Sequence, residues 1–146
     1  MILLDVNVLV YAYREEAPEH PAYARWLGEA VASDQACGIN DVVMSGVVRI
    51  VTNPRVFRTP APIDRALEFA DALRAQPTVV KVDPGNRHWS IFTRLCKDVG
   101  AKGDLVPDVW LAALAIESGS ELISADRDFA RFPALKWRHP LGTGAR

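Results

Sequence analysis

The sequence predicts an α/β fold with a mostly parallel central sheet and helices on both faces. Short apolar segments alternate with helical segments along the whole chain, a pattern typical of parallel sheets. The strand segments MILL, TVV and ELI are almost entirely apolar, as expected for strands that helices cover on both faces. The 146 residues suit one ordinary domain, and no linker or repeat interrupts them, so we predict a single domain at residues 1–146.

The N-terminal half begins with a buried strand and then becomes mainly helical. Residues 1–5 form that strand, and residues 35–39 form a second, weaker one. Apolar residues at helical spacing predict four helices, at residues 7–14, 18–32, 42–51 and 63–75. Asp41 stands directly before the third helix and is predicted to cap its N-terminus. The segment TNPRVFRTPAP is rich in turn-forming residues and ends the same helix.

Two further strands and two further helices are predicted in the C-terminal half. The strands lie at residues 78–82 and 121–124, and the first helix lies at residues 87–99. Pro107 is placed as the first residue of the second helix, which continues through residues 108–118 and is apolar almost all round. The chain then ends in two short segments and a tail expected to fray, at residues 126–132, 134–141 and 142–146.

Composition limits the classes of function. The formal net charge is −1, so the chain lacks the overall basic character of many nucleic-acid binders, although a metal-using enzyme remains compatible with it. No stretch approaches the roughly 18 apolar residues of a membrane helix. Asp5 falls where a signal peptide would be apolar, and no basic segment precedes it, so we expect a cytoplasmic protein. Cysteines and histidines show no metal-type spacing, which argues against a zinc site.

Several aspartates are predicted to meet at one edge of the sheet. Asp5 and Asp126 each follow a strand, and ligand sites in such folds lie beyond the carboxyl ends of the strands. Asp108 begins a helix that runs antiparallel to the strand after it, so Asp108 is expected at the same edge. Asp41 reaches that edge by the same geometry, and Asp104 lies in a loop there.

A cluster of carboxylates needs a counter-charge. Carboxylates repel one another, increasingly so as water is excluded, and helix N-termini offset only about 0.3–1 kcal/mol each. Oxygen ligands without histidine or cysteine indicate Mg²⁺ or Mn²⁺. Each acid also has a local interpretation: Asp5 and Asp41 as helix caps, and Asp126 as part of an Asx turn with Asp128. The convergence of several acids at one edge favours a site over these local roles.

Three segments carry a resemblance to a known family. LLDVNVL, TNPRVF and residues 106–137, in that order, resemble the PIN-domain ribonucleases, in particular the VapC-type toxins of bacterial toxin–antitoxin systems. The resemblance covers essentially the whole chain. It implies a PIN-like three-layer α/β/α fold and an Mg²⁺- or Mn²⁺-dependent endoribonuclease that leaves a 5′-phosphate. It also implies a cognate VapB-type antitoxin that folds over the acidic site, and a toxin homodimer.

The resemblance assigns roles to five residues. Asp5, Asp108 and Asp126 match the metal-binding catalytic acids of the family. Asn7 and Ser124 match the polar positions that support them. The implied reaction is hydrolysis by a metal-activated water that attacks the phosphodiester in line.

Other residues are candidates for accessory roles. Asp126 or Asp104 is a candidate to orient the attacking water. Basic side chains near the edge are candidates to guide the RNA backbone, and about half of them are expected to be ordinary solvated charges. These are Arg14, Arg55, Arg58, Lys102 and Arg127. A phosphatase that forms an aspartyl-phosphate on Asp5 is disfavoured, because Asn7 stands where such chemistry usually places a second Asp.

One position departs from the family pattern. Many members carry a Glu three residues before an Arg in the third helix, and here Gly46 precedes Arg49. Asp41 lies about 140° from Gly46 around the helix, so it cannot replace the Glu on the same face, although it could reach the site from the helix N-terminus. Asp104 is the other candidate replacement. The departure keeps an alternative open, namely a catalytically weakened RNA- or antitoxin-binding module.

Overall fold

Five short parallel strands form the central sheet of the computed structural model, which describes residues 1–142. The strands are β1 (Ile2–Leu4), β2 (Cys37–Ile39), β3 (Val79–Lys81), β4 (Glu121–Ile123) and β5 (Trp137–Arg138). Their order across the sheet is β3-β2-β1-β4-β5, and every neighbouring pair is parallel. The predicted α/β class with a parallel sheet is therefore confirmed. The tail expected to fray lies outside the described residues, apart from Gly142.

Six α-helices accompany the sheet. They are α1 (Val6–Tyr13), α2 (His20–Ala32), α3 (Asp41–Val51), α4 (Ile63–Arg74), α5 (His88–Val99) and α6 (Leu105–Ser118). A short 3₁₀ helix, Arg127–Arg131, follows β4. Every residue of β1 is buried, and α6 is buried through its middle, so these two elements form the centre of the core. Within residues 1–142, no helix combines the length and the apolar character needed to cross a bilayer.

β5 is a strand that the sequence pattern did not indicate. It has only two residues and lies at the edge of the sheet. The backbone N–H groups of Leu122 and Ser124 donate to the carbonyls of Lys136 and Arg138, at 2.8 and 3.2 Å. A segment this short carries no periodic signal, so its pairing with β4 is what makes it a strand.

Asn40, and not Asp41, caps α3. The Asn40 Oδ1 accepts a hydrogen bond from the Val42 N–H at 2.8 Å, and its Nδ2 donates to the Val82 carbonyl at 2.8 Å. Asn40 is buried, so satisfying both ends of its amide avoids the penalty for an unpaired buried polar group. Asp41 is instead the first helical residue, and its side chain is exposed.

The start of α6 also differs from the prediction. The helix begins at Leu105, so Pro107 occupies the third helical position rather than the first. The first N–H groups of a helix have no partner inside it, and a Pro is therefore tolerated in the first turn. The two additional residues make Asp108 the fourth residue of the helix, still within its first turn.

Candidate active site

The pairing of β1 with β4 places two polar residues side by side at the carboxyl ends of these strands. Leu4 is opposite Ile123, and the Asp5 N–H continues the ladder by donating to the Ile123 carbonyl at 3.0 Å. Asp5 and Ser124 therefore leave the sheet together. This edge, where parallel strands end, is where α/β folds build their sites.

The Ser124 hydroxyl joins the polar groups at this edge. It is fully buried and donates to Asp5 Oδ2 at 2.6 Å. It accepts from Asn7 Nδ2 at 3.2 Å and from the Asp126 backbone N–H at 3.0 Å. Asn7 Nδ2 also lies 3.3 Å from Asp5 Oδ2, and Asn7 Oδ1 accepts from the Ala125 N–H at 3.0 Å. Asn7 and Ser124 thus orient the Asp5 carboxylate directly.

Trp137 is a supporting residue that the sequence analysis missed. Its indole Nε1 donates to the Ser124 carbonyl at 3.1 Å, which ties β5 to the residue at the centre of the network. Since the strand that carries Trp137 has no sequence signal of its own, this contact is visible only in three dimensions.

Asp5, Asp108 and Asp126 line one cavity of about 530 Å³. Asp5 comes from the end of β1, Asp108 from the first turn of α6, and Asp126 from the residue before the 3₁₀ helix. The structure therefore brings together three acids that are far apart in the sequence.

The Asp5 carboxylate is partly buried and accepts three hydrogen bonds. Burial raises its pKa above the ordinary value, and the negative charge of Asp126 adds to the effect. Hydrogen bonds from Ser124, Val6 and Asn7 act in the opposite direction. The bond from the Val6 N–H, at 2.7 Å, also makes Asp5 the N-cap of α1. The local capping role and the place in the acid cavity are thus compatible.

Burial and neighbouring negative charges both act on the Asp108 carboxyl. Its pKa is raised to about 6, first by burial and then by the negative charges of Asp5, Asp126 and Asp128. The positive charge of Arg131 offsets only part of this. Asp128 was expected only to form an Asx turn, and it does so by donating its N–H to Asp126 Oδ1 at 2.9 Å. The structure adds it as a fourth carboxylate close enough to influence the cavity.

The donor set suits a hard divalent cation. All three cavity acids offer carboxylate oxygens, the ligands that hard divalent cations prefer. Within residues 1–142, however, no three acidic, histidine or cysteine side chains are grouped closely enough to enclose a metal ion directly. Mg²⁺ usually keeps several waters and takes one or two carboxylates, so this open arrangement fits such an ion better than a closed cage would.

Neither candidate for the missing fourth ligand lies in the cavity. Asp41 is exposed and forms ion pairs with Arg74 and, at 3.3 Å, with Lys81. The hydrogen bond from Lys81 and the contact with Arg74 lower the pKa of Asp41. Asp104 is exposed and is not among the residues that line the cavity. The expectation that either acid reaches the site is therefore not met by the geometry.

Gly46 allows α1 and α3 to approach closely beside the site. A Cβ atom built on Gly46 would lie 3.2 Å from Val6 Cγ2. Val6 directly follows Asp5, so its side chain occupies the region into which a larger residue at position 46 would have to project. The structure thus gives a packing reason for glycine at position 46.

The cationic candidates separate into two groups. Arg14 is buried, so it is not a surface residue that could guide RNA, and the expectation for it was wrong. The other four candidates are exposed, but none lines the acid cavity: Arg55, Arg58, Lys102 and Arg127. Arg49 does line it and was not selected from the sequence as a binding residue. Its place three residues after Gly46, on the same face of α3, was the available signal.

Comparison with known proteins identifies relatives over nearly the whole chain. The profile of the PIN domain family matches residues 2–135. VapC ribonuclease Mb2897 of Mycobacterium bovis is 45% identical over 141 residues, which cover 97% of this chain and 96% of that protein. Ribonuclease VapC25 of Mycobacterium tuberculosis is 38% identical over 140 residues, which cover 96% and 99%.

Solved structures share the fold at low sequence identity. VapBC2 from Rickettsia felis, bound to a DNA fragment from its promoter, superposes with a TM-score of 0.69 at 18% identity, covering 95% of this chain and 98% of that one. VapC20 of Mycobacterium tuberculosis, a toxin that cleaves the sarcin–ricin loop, gives a TM-score of 0.64 at 15% identity, covering 91% and 95%.

Proposed function

The chain belongs to the PIN domain family, and from this premise we propose that it is a metal-dependent endoribonuclease, the toxin of a toxin–antitoxin pair. The observation that carries the proposal is the cavity lined by Asp5, Asp108 and Asp126. It lies in a chain that is 45% identical to a VapC ribonuclease over 97% of its length. Mg²⁺ or Mn²⁺ is the cofactor that these oxygen ligands favour.

Each acid has a distinct part in the proposed reaction. Both Asp5 oxygens accept hydrogen bonds, which fix the orientation of the carboxylate and of its remaining lone pairs. We therefore assign Asp5 to metal binding, together with Asp108. Asp126 engages Oδ1 with the Asp128 N–H, which leaves Oδ2 to orient the attacking water. A bound Mg²⁺ or Mn²⁺ supplies polarisation of the phosphate and a water of lowered pKa. Hydrolysis would leave the 5′-phosphate end that the resemblance implies.

Sequencing of RNA 5′-ends after induction in cells tests the proposal. We expect new 5′-phosphate ends with the wild-type chain and none with Asp5→Ala or Asp108→Asn. Asp98→Asn is the matched control, because Asp98 is an exposed aspartate of α5 that does not line the cavity. Equal numbers of new ends with Asp5→Ala would refute the proposal. If the wild-type chain binds RNA but produces no ends, the weakened binding module is the better description.

We also propose a VapB-type antitoxin as the partner. The structural neighbours include VapBC-1 from nontypeable Haemophilus influenzae, FitAB bound to DNA and a toxin–antitoxin complex from Klebsiella pneumoniae. In this chain the cavity sets three aspartates against one arginine, Arg49. An antitoxin segment that brings an Arg close to Asp5 or Asp108 would balance this excess of negative charge, because a guanidinium pairs bidentately with a carboxylate. A structure of the complex with antitoxin contacts only at the opposite edge of the sheet would contradict this.

A further inference from the structure

The acid cavity has a second wall that the proposed hydrolysis does not use. Apart from the acids, Asn7 and Arg49, its lining is apolar or aromatic. These residues are Val6, Val10, Tyr11, Ile50, Val56 and Phe57. A phosphate and its metal need only the polar side. The apolar side must therefore face another part of the substrate, or water.

The outer part of this wall is an ordered turn. The Asn53 carbonyl accepts hydrogen bonds from the N–H groups of Val56 and Phe57, at 3.0 and 3.1 Å. The Asn53 side chain accepts a further bond from the Arg55 N–H at 2.9 Å. The loop is closed where the Ala61 N–H donates to the α3 carbonyl of Val51 at 2.8 Å. Val56 and Phe57 are thus held in place before any ligand arrives.

Buried Arg14 supports the same turn from beneath. Its side chain is 6% exposed, and Nη2 donates to the Thr59 carbonyl at 2.7 Å. The guanidinium carbon lies 4.3 Å from the centre of the Phe57 ring, within the range of a cation–π contact. Glu16 accepts from the same Nη2 at 2.6 Å and balances the charge. Arg14 is therefore a positioning residue for the wall.

Val56 is the exposed residue of the wall that Arg14 supports. It is 53% exposed although it is apolar and lines the cavity. Arg49 lies in the same cavity, is exposed, and makes no salt bridge within the described part of the chain. One cavity thus combines an apolar and aromatic surface that suits a base, an unpaired cation that suits a phosphate, and the acids assigned above to the cleaved phosphodiester.

We infer that Val56 and Phe57 form a binding site for one unstacked nucleobase next to the scissile phosphate, with Arg49 on the neighbouring phosphate. This inference rests on the proposed ribonuclease function and adds which side chains of the cavity contact the base and the neighbouring phosphate. A base in a duplex presents no free face, whereas a base in a loop can be turned out onto an apolar or aromatic surface. Val56 and Phe57 are thereby specificity-determining residues.

Binding to single-stranded RNA tests the inference without relying on cleavage. The full chain carrying Asp108→Asn is titrated with short homopolymers of A, U, C and G and with an abasic ribose-phosphate oligomer of equal length. We expect at least one homopolymer to bind about tenfold more tightly than the abasic oligomer, as stacking of one base on a side chain predicts. Val56→Ser should weaken that preference, because the base keeps only the Phe57 ring, and Val56→Ile should retain it in full.

Val42→Ser is the matched control, because Val42 is 64% exposed on α3 and does not line the cavity. It should leave the preference for bases unchanged. Equal affinity of every homopolymer and the abasic oligomer would overturn the inference. A Val56→Ser chain that keeps its preference for bases would also overturn the inference. If that chain loses affinity only for the antitoxin, the wall binds protein and not a base. Failure of the hydrolysis proposal has a separate sign: Asp5→Ala would leave RNA cleavage intact.

Discussion

The raised pKa of Asp108 means that grouping acids in the cavity lowers the stability of the folded state by an amount that can be measured. Its pKa is about 6 in the folded chain against an ordinary value of 3.8, so the folded state holds this proton more tightly than the unfolded state. Below both values the group is neutral and carries no penalty. As the pH rises from about 4 to 6, the proton is lost and the folded state is destabilised. The penalty is present in full at neutral pH.

We therefore expect Asp108→Asn to stabilise the metal-free chain at pH 7. The gain should be about 1 kcal/mol, after allowance for solvent screening of a carboxyl that is only partly buried. It should shrink to nothing as the pH falls below 4, where both side chains are neutral. Urea unfolding at a series of pH values in a chelator measures this, with Asp98→Asn as control. If the free energies of unfolding of the wild-type and Asp108→Asn chains differ by the same amount at every pH, the assigned pKa is contradicted.

Single residues differ in how far the sequence predicts their roles. Asp5, Asp108 and Asp126 were found because each follows a strand or opens a helix, and parallel topology sends all such positions to one edge. Arg14 was misjudged because charge alone suggested a surface position, whereas Phe57 and the Thr59 carbonyl make burial favourable. That compensation comes from a loop more than 40 residues away, which no local pattern encodes.

Among the helices, α3 shows how a neighbouring element decides the role of an acid. Asp41 is one residue past the cap and is paired with Arg74 from α4 and Lys81 from β3. Its side chain therefore links α3 to α4 and β3, away from the cavity. The loop before α6 leaves Asp104 exposed and outside the cavity as well.

We expect Asp41→Asn and Asp104→Asn to retain most of the RNA cleavage rate, while Asp108→Asn abolishes it. The physical reason is that neither acid lines the cavity, so we expect cleavage to depend on the three acids that do. Initial cleavage rates of one RNA by the purified variants provide the measurement, and melting temperatures control for folding. A rate for either variant as low as that of Asp108→Asn would show that the acid reaches the site during turnover.

Contacts between elements also explain where sequence analysis ends. The helix α5 was placed almost to the residue, but nothing near it in the sequence indicated its N-terminal cap. The carboxylate of Glu117, on α6, accepts from the N–H groups of Gly85 and Arg87 at 2.7 and 2.9 Å. A Cβ atom on Gly85 would lie 2.7 Å from Glu117 Oε2, so a larger residue there would displace the carboxylate from this position. Long-range caps of this kind depend on packing, which follows from the whole fold.

At the scale of the whole molecule, the net charge gives no indication of the local excess of negative charge at the site. The formal net charge is −1, yet three aspartates line one cavity beside a fourth at position 128. The fold creates this local excess by bringing the ends of β1 and β4 and the start of α6 together. Binding of a cation there should stabilise the entire chain, because the unfolded chain keeps these acids apart and gains nothing comparable.

We expect Mn²⁺ to raise the melting temperature of the isolated wild-type chain. At a concentration about ten times the dissociation constant, linkage predicts about 1.4 kcal/mol, equivalent to roughly 5 °C for a domain of this size. Thermal unfolding with and without millimolar Mn²⁺ measures the shift. Asp5→Ala and Asp108→Asn should lose it, and Asp98→Asn should keep it. An unchanged melting temperature in the wild-type chain would count heavily against a metal site. An equal shift in Asp108→Asn would instead place the ion on the surface, since removing a cavity carboxylate must weaken binding inside the cavity.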